Sequence, residues 1–267
     1  MSKAIELLSM LHSAKSFRWE TARGRSNLGV EELNGAVALA EKDSVLGSHL
    51  IRAKYLDDHT ALTKAYNMLS YQAAAHLSEL EIRPITEIVM CIIMVKPLPS
   101  QYRTISSAWK RHSSRGNRSK KTIQKFNQAL NSLSAALIKK ESAADISRVE
   151  SQIEMTEQRL NAERQDLERY ADAQAKSTIA CPRCRGVGEV NSNECKTCSG
   201  KGVFIADEKD IRKAVIGAGL KGDAFYSHYL PAIEALLTTA CQSENDAVDA
   251  INKRVEREKS HAIGDLA

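Results

Sequence analysis

Four of the six cysteines fall in one short window, as Cys181-Pro-Arg-Cys184 and Cys195-Lys-Thr-Cys198. Each pair opens the same eight-residue unit, C-x-x-C-x-G-x-G, closed by Gly186 and Gly188 in the first copy and by Gly200 and Gly202 in the second. Two residues between cysteines let both sulfurs reach one metal from a tight turn. The ten residues separating the pairs are enough for a hairpin that brings the two turns together in tetrahedral S4 geometry. Chain reversal just after a ligand needs φ > 0 or a close backbone approach, which glycine permits. Soft thiolates favour Zn²⁺ over Mg²⁺ or Ca²⁺. With every position a cysteine, no place remains for water, so the expectation is one structural Zn²⁺ and no catalytic metal. An iron–sulfur cluster accepts the same donors, and a redox dithiol uses one such pair beside a βαβ pattern. That pattern is missing here, and the duplicated glycines favour zinc. Arg183, Arg185, Lys196 and Lys201, interspersed with the ligands, can offset the charge of a Zn(Cys)4 centre or contact phosphate. Cys91 and Cys241 fall on apolar helix faces and are expected in the core, where free cysteine behaves as a small hydrophobe.

A second group of residues carries charge. From Lys96 to Lys140 there are eleven Lys and Arg and no Asp or Glu, leaving 27 basic against 33 acidic residues elsewhere. The net charge of +5 thus hides a mildly acidic protein with one basic segment. Arg103, Lys110, Arg111, Arg115, Arg118, Lys120 and Lys121 lead it, with Lys125 beside them and Tyr102 and Trp109 interleaved. Such clusters neutralise nucleic-acid phosphates and gain from counterion release. The polar stretch Ser113 to Ser119 reads as a loop whose Ser, Asn and Gly groups could position on a phosphate backbone. A solvated basic face is the plainer alternative. Catalysis finds no residues to rest on: there is no phosphate-binding glycine loop, no H-E-x-x-H and no defensible Ser/His/Asp order. Gly217-Ala-Gly219-Leu-Lys-Gly222 spells G-x-G-x-x-G but follows a helix, not the strand the fingerprint requires. The chain is read as a non-enzyme.

Helices must position both groups. Aromatics are 5% of the 267 residues, and the abundance of Ala, Leu, Lys, Glu and Gln favours helix over sheet. The expected fold is mainly α, a helical bundle with a helical hairpin arm and a small zinc-binding β-hairpin. Met1 to Ser13 reads as a short amphipathic helix, with no export signal. Asp57, Asp58 and Thr60 supply N-cap chemistry before a helix bearing Leu62, Ala65, Tyr66, Met68, Leu69 and Tyr71. Pro84 fits a first helical turn, leading into the apolar run up to Val95, read as a buried helix although strand is possible. A basic helix from about Ser100 to His112 follows. From Ser119, Ile123, Phe126, Leu130, Leu133 and Leu137 repeat at 3-4 spacing, and Ile146, Val149, Ile153, Leu160, Leu167 and Tyr170 form a second series. The two stripes suggest an antiparallel hairpin, each arm burying the other's seam; the alternative is two amphipathic helices lying on a globular core. Thr156 and Glu163 interrupt the second seam. After the cysteines, Asp207 caps a helix ending at Gly217 or Gly219. A last pair spans Ala224 to Cys241 and Ser243 to about Arg257, Ser243 and Asp246 reading as a capping-box variant. The divisions are 1–100, a helical region; 101–176, basic segment and hairpin; 177–206, the zinc module; and 207–267, a C-terminal helical region. No apolar run is long enough to span a membrane, and the expected location is the cytoplasm of a bacterial host.

The duplicated cysteine unit resembles two families. One is the cysteine-rich region of DnaJ-type chaperones, which carries four copies and a His-Pro-Asp J domain; this chain has two copies and no His-Pro-Asp. The other is the late-gene antitermination protein Q family of lambdoid phages. The likeness there continues through Arg212-Lys213-Ala214-Val215, Phe225-Tyr226, Tyr229-Leu230-Pro231, Ala235-Leu236-Leu237 and Cys241-Gln242-Ser243-Glu244 with Ala247. It covers about Cys181 to Lys253 and not the first 175 residues. The sequence looks like a divergent prophage member. The resemblance implies a DNA-binding transcription regulator that engages the bacterial RNA polymerase holoenzyme at a late promoter and suppresses terminators. Duplex DNA and polymerase are the expected partners, and membrane is not. The alternatives are a chaperone-like zinc module that grips unfolded protein, or a phage structural or packaging protein that assembles through its hairpin.

Overall fold

The computed structural model describes residues 30–140 and 142–264. Among them the elements are α1 (Val30–Ala40), α2 (Val45–Tyr55), α3 (His59–Ala73), α4 (Glu79–Ile93), α5 (Tyr102–His112), α6 (Ser114–Leu137), α7 (Ala143–Ser177), β1 (Glu189–Val190), β2 (Asn193–Glu194), α8 (Glu208–Gly217) and α9 (Leu230–Gly264). The protein is mainly helical, and its two strands form one antiparallel pair. Two compact units result: the chain up to Met94 together with the chain from Ala218 onward, and Val95–Gly217. The helix expected over Met1 to Ser13 lies outside the described residues. No described helix is long and apolar enough to cross a membrane.

The first unit packs α1 to α4 against α9. Ala36, Val37, Ala40 and Ile51 meet Ala247, Ile251 and Val255 in one buried cluster. Helix starts are set by side chains that satisfy orphan backbone donors. Asp58 accepts the N–H groups of Thr60 and Ala61 at 2.9 and 3.0 Å, as its cap chemistry predicts. In α3 the buried positions are Ala61, Ala65, Leu69 and Ala73, a four-residue repeat of mostly small side chains. Tyr71, expected with the apolar set, is exposed. Helix α4 confirms the helical reading of the run before Val95, but it starts at Glu79, so Pro84 lies inside it and not in its first turn. The start is fixed by Glu81, whose carboxylate accepts the Ser78 N–H at 2.9 Å.

Two sequence expectations fail in α9. It is one helix where a pair was expected, because one face stays covered throughout: Ile233, Leu236 and Ala240 are buried, Ser243 and Glu244 half-buried, and Ala247 and Ile251 buried again. Burial of that face outweighs the local capping signal at Ser243. The Ser243 carbonyl instead accepts a hydrogen bond from the Ser44 hydroxyl at the start of α2, at 2.9 Å. Cys241, expected in the core, is exposed, while Cys91 is half-buried.

Glu81 also ties α4 to the segment before α9. The Tyr229 hydroxyl donates to it at 2.9 Å, and His228 Nε2 lies 3.3 Å away. Hydrogen bonds from Ser78, then from Tyr229 and His228, hold this carboxyl at about 2 against an ordinary 4.5. A depressed folded-state value means the contribution is fully present above 4.5 and lost as pH falls toward 2. Glu81→Gln is expected to lower stability at neutral pH by about 1–3 kcal/mol. It should also flatten the acid limb of a urea-midpoint titration across that window; an unchanged acid limb would remove Glu81 from the account.

In the second unit α6 and α7 form the expected antiparallel hairpin. Helix α7, at 35 residues, extends about 52 Å at 1.5 Å per residue. The seam interruption at Glu163 has a reason: its carboxylate takes the hydroxyl of Ser119, which is buried. Thr156 bonds back to the Gln152 carbonyl of its own helix. Helix α8 starts as expected, with Asp207 accepting the Asp210 N–H at 2.8 Å.

Candidate metal centre

The cysteine module forms within its own chain segment. Asn191 and Ser192, both at positive φ, make the two-residue turn between β1 and β2, the backbone that short hairpins prefer. Around it the two copies of the sequence unit fold alike. The Cys181 N–H donates to the Gly202 carbonyl at 2.9 Å, and its counterpart Cys195 donates to Gly188 at 2.8 Å. A side chain on Gly188 would stand 2.1 Å from the Gly200 carbonyl oxygen, and one on Gly202 would stand 2.2 Å from that of Gly186. The repeat therefore needs glycine where each knuckle's backbone crosses the other.

This crossing brings Cys181, Cys184, Cys195 and Cys198 together. All four are buried, and their sulfurs lie within 4.8 Å of one another. Cys181 Sγ is 3.9 Å from Cys195 Sγ, and Cys184 Sγ is 3.7 Å from Cys198 Sγ. Burial pushes the Cys198 thiol up to about 12 and raises Cys181 as well. Burial also opposes the Cys195 thiolate, but the Thr197 and Cys198 N–H groups and neighbouring sulfurs bring it down to about 7. Four anionic sulfurs this close need a cation, and a bound metal favours the thiolate at every position. The donor set fits a metal ion with the predicted ligands, all four of them.

Sequence reasoning missed the group that seats the module. Gln101, buried between the turn Pro99–Gln101 and α5, accepts the Leu98 N–H at 3.0 Å. Its amide nitrogen lies 3.2 Å from both the Phe204 carbonyl and Asp210 Oδ2, and Ser100 donates to the Asp210 carbonyl at 2.7 Å. The end of the cysteine module, the start of α5 and the start of α8 are thereby joined. A lone glutamine beside prolines gives no periodic signal that could have found it. Gln101→Ala leaves the Leu98 N–H and Asp210 without these partners, and is expected to destabilise by about 1–3 kcal/mol. Faster amide exchange at Phe204 and Ile211 would report it; unchanged protection there would remove Gln101 as the seat of the module.

The basic side chains divide among three environments. Lys110 departs from the reading of a cluster without acidic partners: it pairs with Glu168 of α7 at 2.7 Å, one turn from the Ser106–Asp172 hydrogen bond at 2.6 Å. Trp109 packs edge-on to Tyr170, with centroids 6.1 Å apart, and Arg115 lies 5.3 Å from the same Tyr170 ring. Lys120 donates to the Arg111 carbonyl at 2.9 Å, and Arg118 and Lys121 are exposed on α6. The expected loop over Ser113–Ser119 is instead the first turn and a half of α6, because Ser113 caps it through the Gly116 N–H at 2.9 Å. Gly116 is buried against the carbonyls of Trp109 and Lys110, so α6 leaves α5 with no room for a loop.

Arg103 and Arg111 are on the third side. With Thr104, Ser107 and His112 of α5 they face Arg183, Lys196 and Thr197 of the cysteine module across a cleft of ≈ 580 Å³ that contains no acidic residue. Burial, then the charges of Arg183, Lys120 and Arg111, lower the His112 pKa.

No curated protein and no solved structure matches the chain. A family described as conserved hypothetical protein CHP02642 matches residues 2–260. With nearly its whole length matched, the chain belongs to the conserved hypothetical protein CHP02642 family.

Proposed function

We propose that the protein is a zinc-stabilised, duplex-DNA-binding transcription antiterminator of a phage or prophage. It works in the bacterial cytoplasm by binding, without catalysis, and engages RNA polymerase at a late promoter. The observation that carries the nucleic-acid reading is the corner where α5 meets α6. Its own residues from Tyr102 to Leu137 include no acid. Arg115 and Arg118 occupy the opening turns of α6, where cations oppose the helix dipole at a local cost of roughly 0.3–1 kcal/mol each. A fold that keeps cations in such places gains from them elsewhere, and a phosphate backbone is the fitting counter-charge. Four sulfurs, no oxygen donors and tight knuckles support zinc as the metal. The antitermination reading rests on the resemblance from Cys181 to Lys253. A chaperone-like grip would need a continuous apolar groove; the module's exposed large apolar side chains among the described residues are Val187 and Ile205, on opposite sides of the second knuckle in sequence.

The test is retardation of duplex DNA from the gene's neighbouring late promoter over unrelated competitor, repeated with RNA polymerase holoenzyme. Selective retention strengthened by polymerase is the expected result. Absence of selectivity in both conditions rejects the antiterminator. Arg111→Ala, Arg115→Ala and Arg118→Ala together should reduce the slope of log Kobs against log salt by roughly one unit per lost phosphate contact. An unaltered slope would reduce the corner to a solvated face.

A further inference from the structure

We propose that the cleft between α5 and the cysteine module is a binding site for one phosphate backbone of duplex DNA, held by Arg103 and Arg111 from the helix and by Arg183 and Lys196 from the two knuckles. This inference rests on the nucleic-acid reading above and adds a site to it that the basic segment alone does not contain.

Helix α5 has two polar flanks of opposite character. The flank facing α7 holds carboxylates, with Lys110 and Lys176 set among Glu168 and Asp172, and Arg103 and Ser107 line the boundary between the two flanks. The flank facing the module does not: Arg103, Arg111, Arg183 and Lys196 converge with His112 and no carboxylate lines the cleft. None of these four cations has an ion-pair partner among the described residues. Glu194 lines an adjoining cleft together with Arg183 and Lys196 but does not pair with either. Like charges converging on one cleft repel, and a protein that needed them only for solubility would spread them. Thr104, Ser107 and Thr197 line the same cleft, adding hydroxyl donors of the kind that position phosphates.

The placement is held from both sides. Arg103 and Arg111 are eight residues apart on α5, so they lie about 12 Å apart along the axis at 1.5 Å per residue. That span reaches more than one phosphate of a single strand, whose charges recur about every 3.4 Å along the duplex axis. Arg183 and Lys196 each sit between a pair of ligand cysteines, and Arg183 Nη1 reaches Thr197 Oγ1 at 3.4 Å, bridging one knuckle to the other. The Gln101 hydrogen bonds to Phe204 and Asp210 then fix the module against the start of α5. A duplex is favoured over an acidic protein because the cleft combines cations with hydroxyls, and its apolar lining is limited to Ala108 and half-buried Phe204.

The test compares the metal-loaded full chain with Arg183→Ala/Lys196→Ala by fluorescence anisotropy on the promoter duplex and an unrelated duplex of equal length, across a salt series. Neither residue is a metal ligand, so metal content and thermal melting should match the parent. The salt slope should fall by roughly 1.8, weakening binding roughly 30-fold at 0.15 M salt, and equally on both duplexes because phosphate contacts carry no sequence information. The pair Arg183→Lys/Lys196→Arg should restore the slope. If the parent binds and the alanine variant keeps its slope, the cleft is not the site. Displacement of the duplex by polyglutamate of matched charge at equal charge concentration also overturns it, in favour of an acidic protein partner. A parent that binds neither duplex refutes the nucleic-acid reading itself, a different failure.

Discussion

Cys184→Ser is expected to leave well under one zinc per chain and to melt the cysteine module at temperatures where the parent is folded. A serine hydroxyl does not ionise near neutral pH, so one corner of the tetrahedron becomes a poor neutral donor. The free energy of binding a structural zinc, about 10–16 kcal/mol in isolated fingers, is largely folding free energy. The module has little else to replace it: two strands of two residues each, and few buried residues beyond the cysteines themselves, with Val190 and Phe204 against them. A destabilisation of roughly 4 kcal/mol or more, the range reserved for lost metals and buried networks, should appear as loss of amide protection at Cys181, Cys195 and Phe204, whose N–H groups bond across the module. Zinc content and melting equal to the parent would mean the four sulfurs do not hold a metal. Because Arg183 and Lys196 stand between ligands, the same variant should also lose salt-sensitive DNA affinity.

Phe225→Ala carries the other large expected effect. The ring is fully buried and is the largest such side chain among the described residues. It sits where a π-turn over Phe225–Tyr229 feeds α9, with the Leu230 N–H bonding to the Phe225 carbonyl and Tyr226 packed edge-on at 5.1 Å. Removing a buried phenylalanine costs about 3–5 kcal/mol in transfer and cavity terms. The loss falls in the unit that contains α1 to α4 and α9. The urea midpoint reported by Tyr229 should drop accordingly while zinc content stays at the parent value. A midpoint shift worth less than about 0.5 kcal/mol would mean the site collapses around the gap.

What the sequence made legible was what repeats. The doubled cysteine unit named the four sulfurs that meet, and the 3-4 spacing from Ile123 to Leu137 and from Ile146 to Tyr170 named the paired helices. The first stripe is nonetheless only half-buried, and the second is fully buried only at Val149, Leu160 and Leu167. Asp58 and Asp207 marked helix starts because their side chains act within three residues. What escaped depended on distant partners. Ser243 has cap chemistry, yet the covered face from Ile233 to Ile251 runs straight through it. The stretch Ser113–Ser119 has loop composition, yet buried Gly116 and the Ser119–Glu163 bond make it helix. Lys110 and Arg111 read alike in a charge run, and only the fold gives one an acidic partner and the other a cationic cleft. Gln101 carries no local signal of its wider role: besides the nearby Leu98 N–H, the groups it holds lie more than a hundred residues away.

The interleaving of the two units along the chain sets an order on the ribosome. Val95–Gly217 is contiguous, so all of its helices and both knuckles are synthesised before α9. The other unit begins first and finishes last, because the cluster around Ala36, Val37 and Ile51 is completed only when Ala247, Ile251 and Val255 arrive. At roughly 5–20 residues per second, α1 to α4 wait on the order of 10–30 s for that helix. During nascent-chain growth the cysteine-bearing half is complete early, while the amino-terminal helices, packed on one another, wait with the faces that α9 covers still open to a holdase.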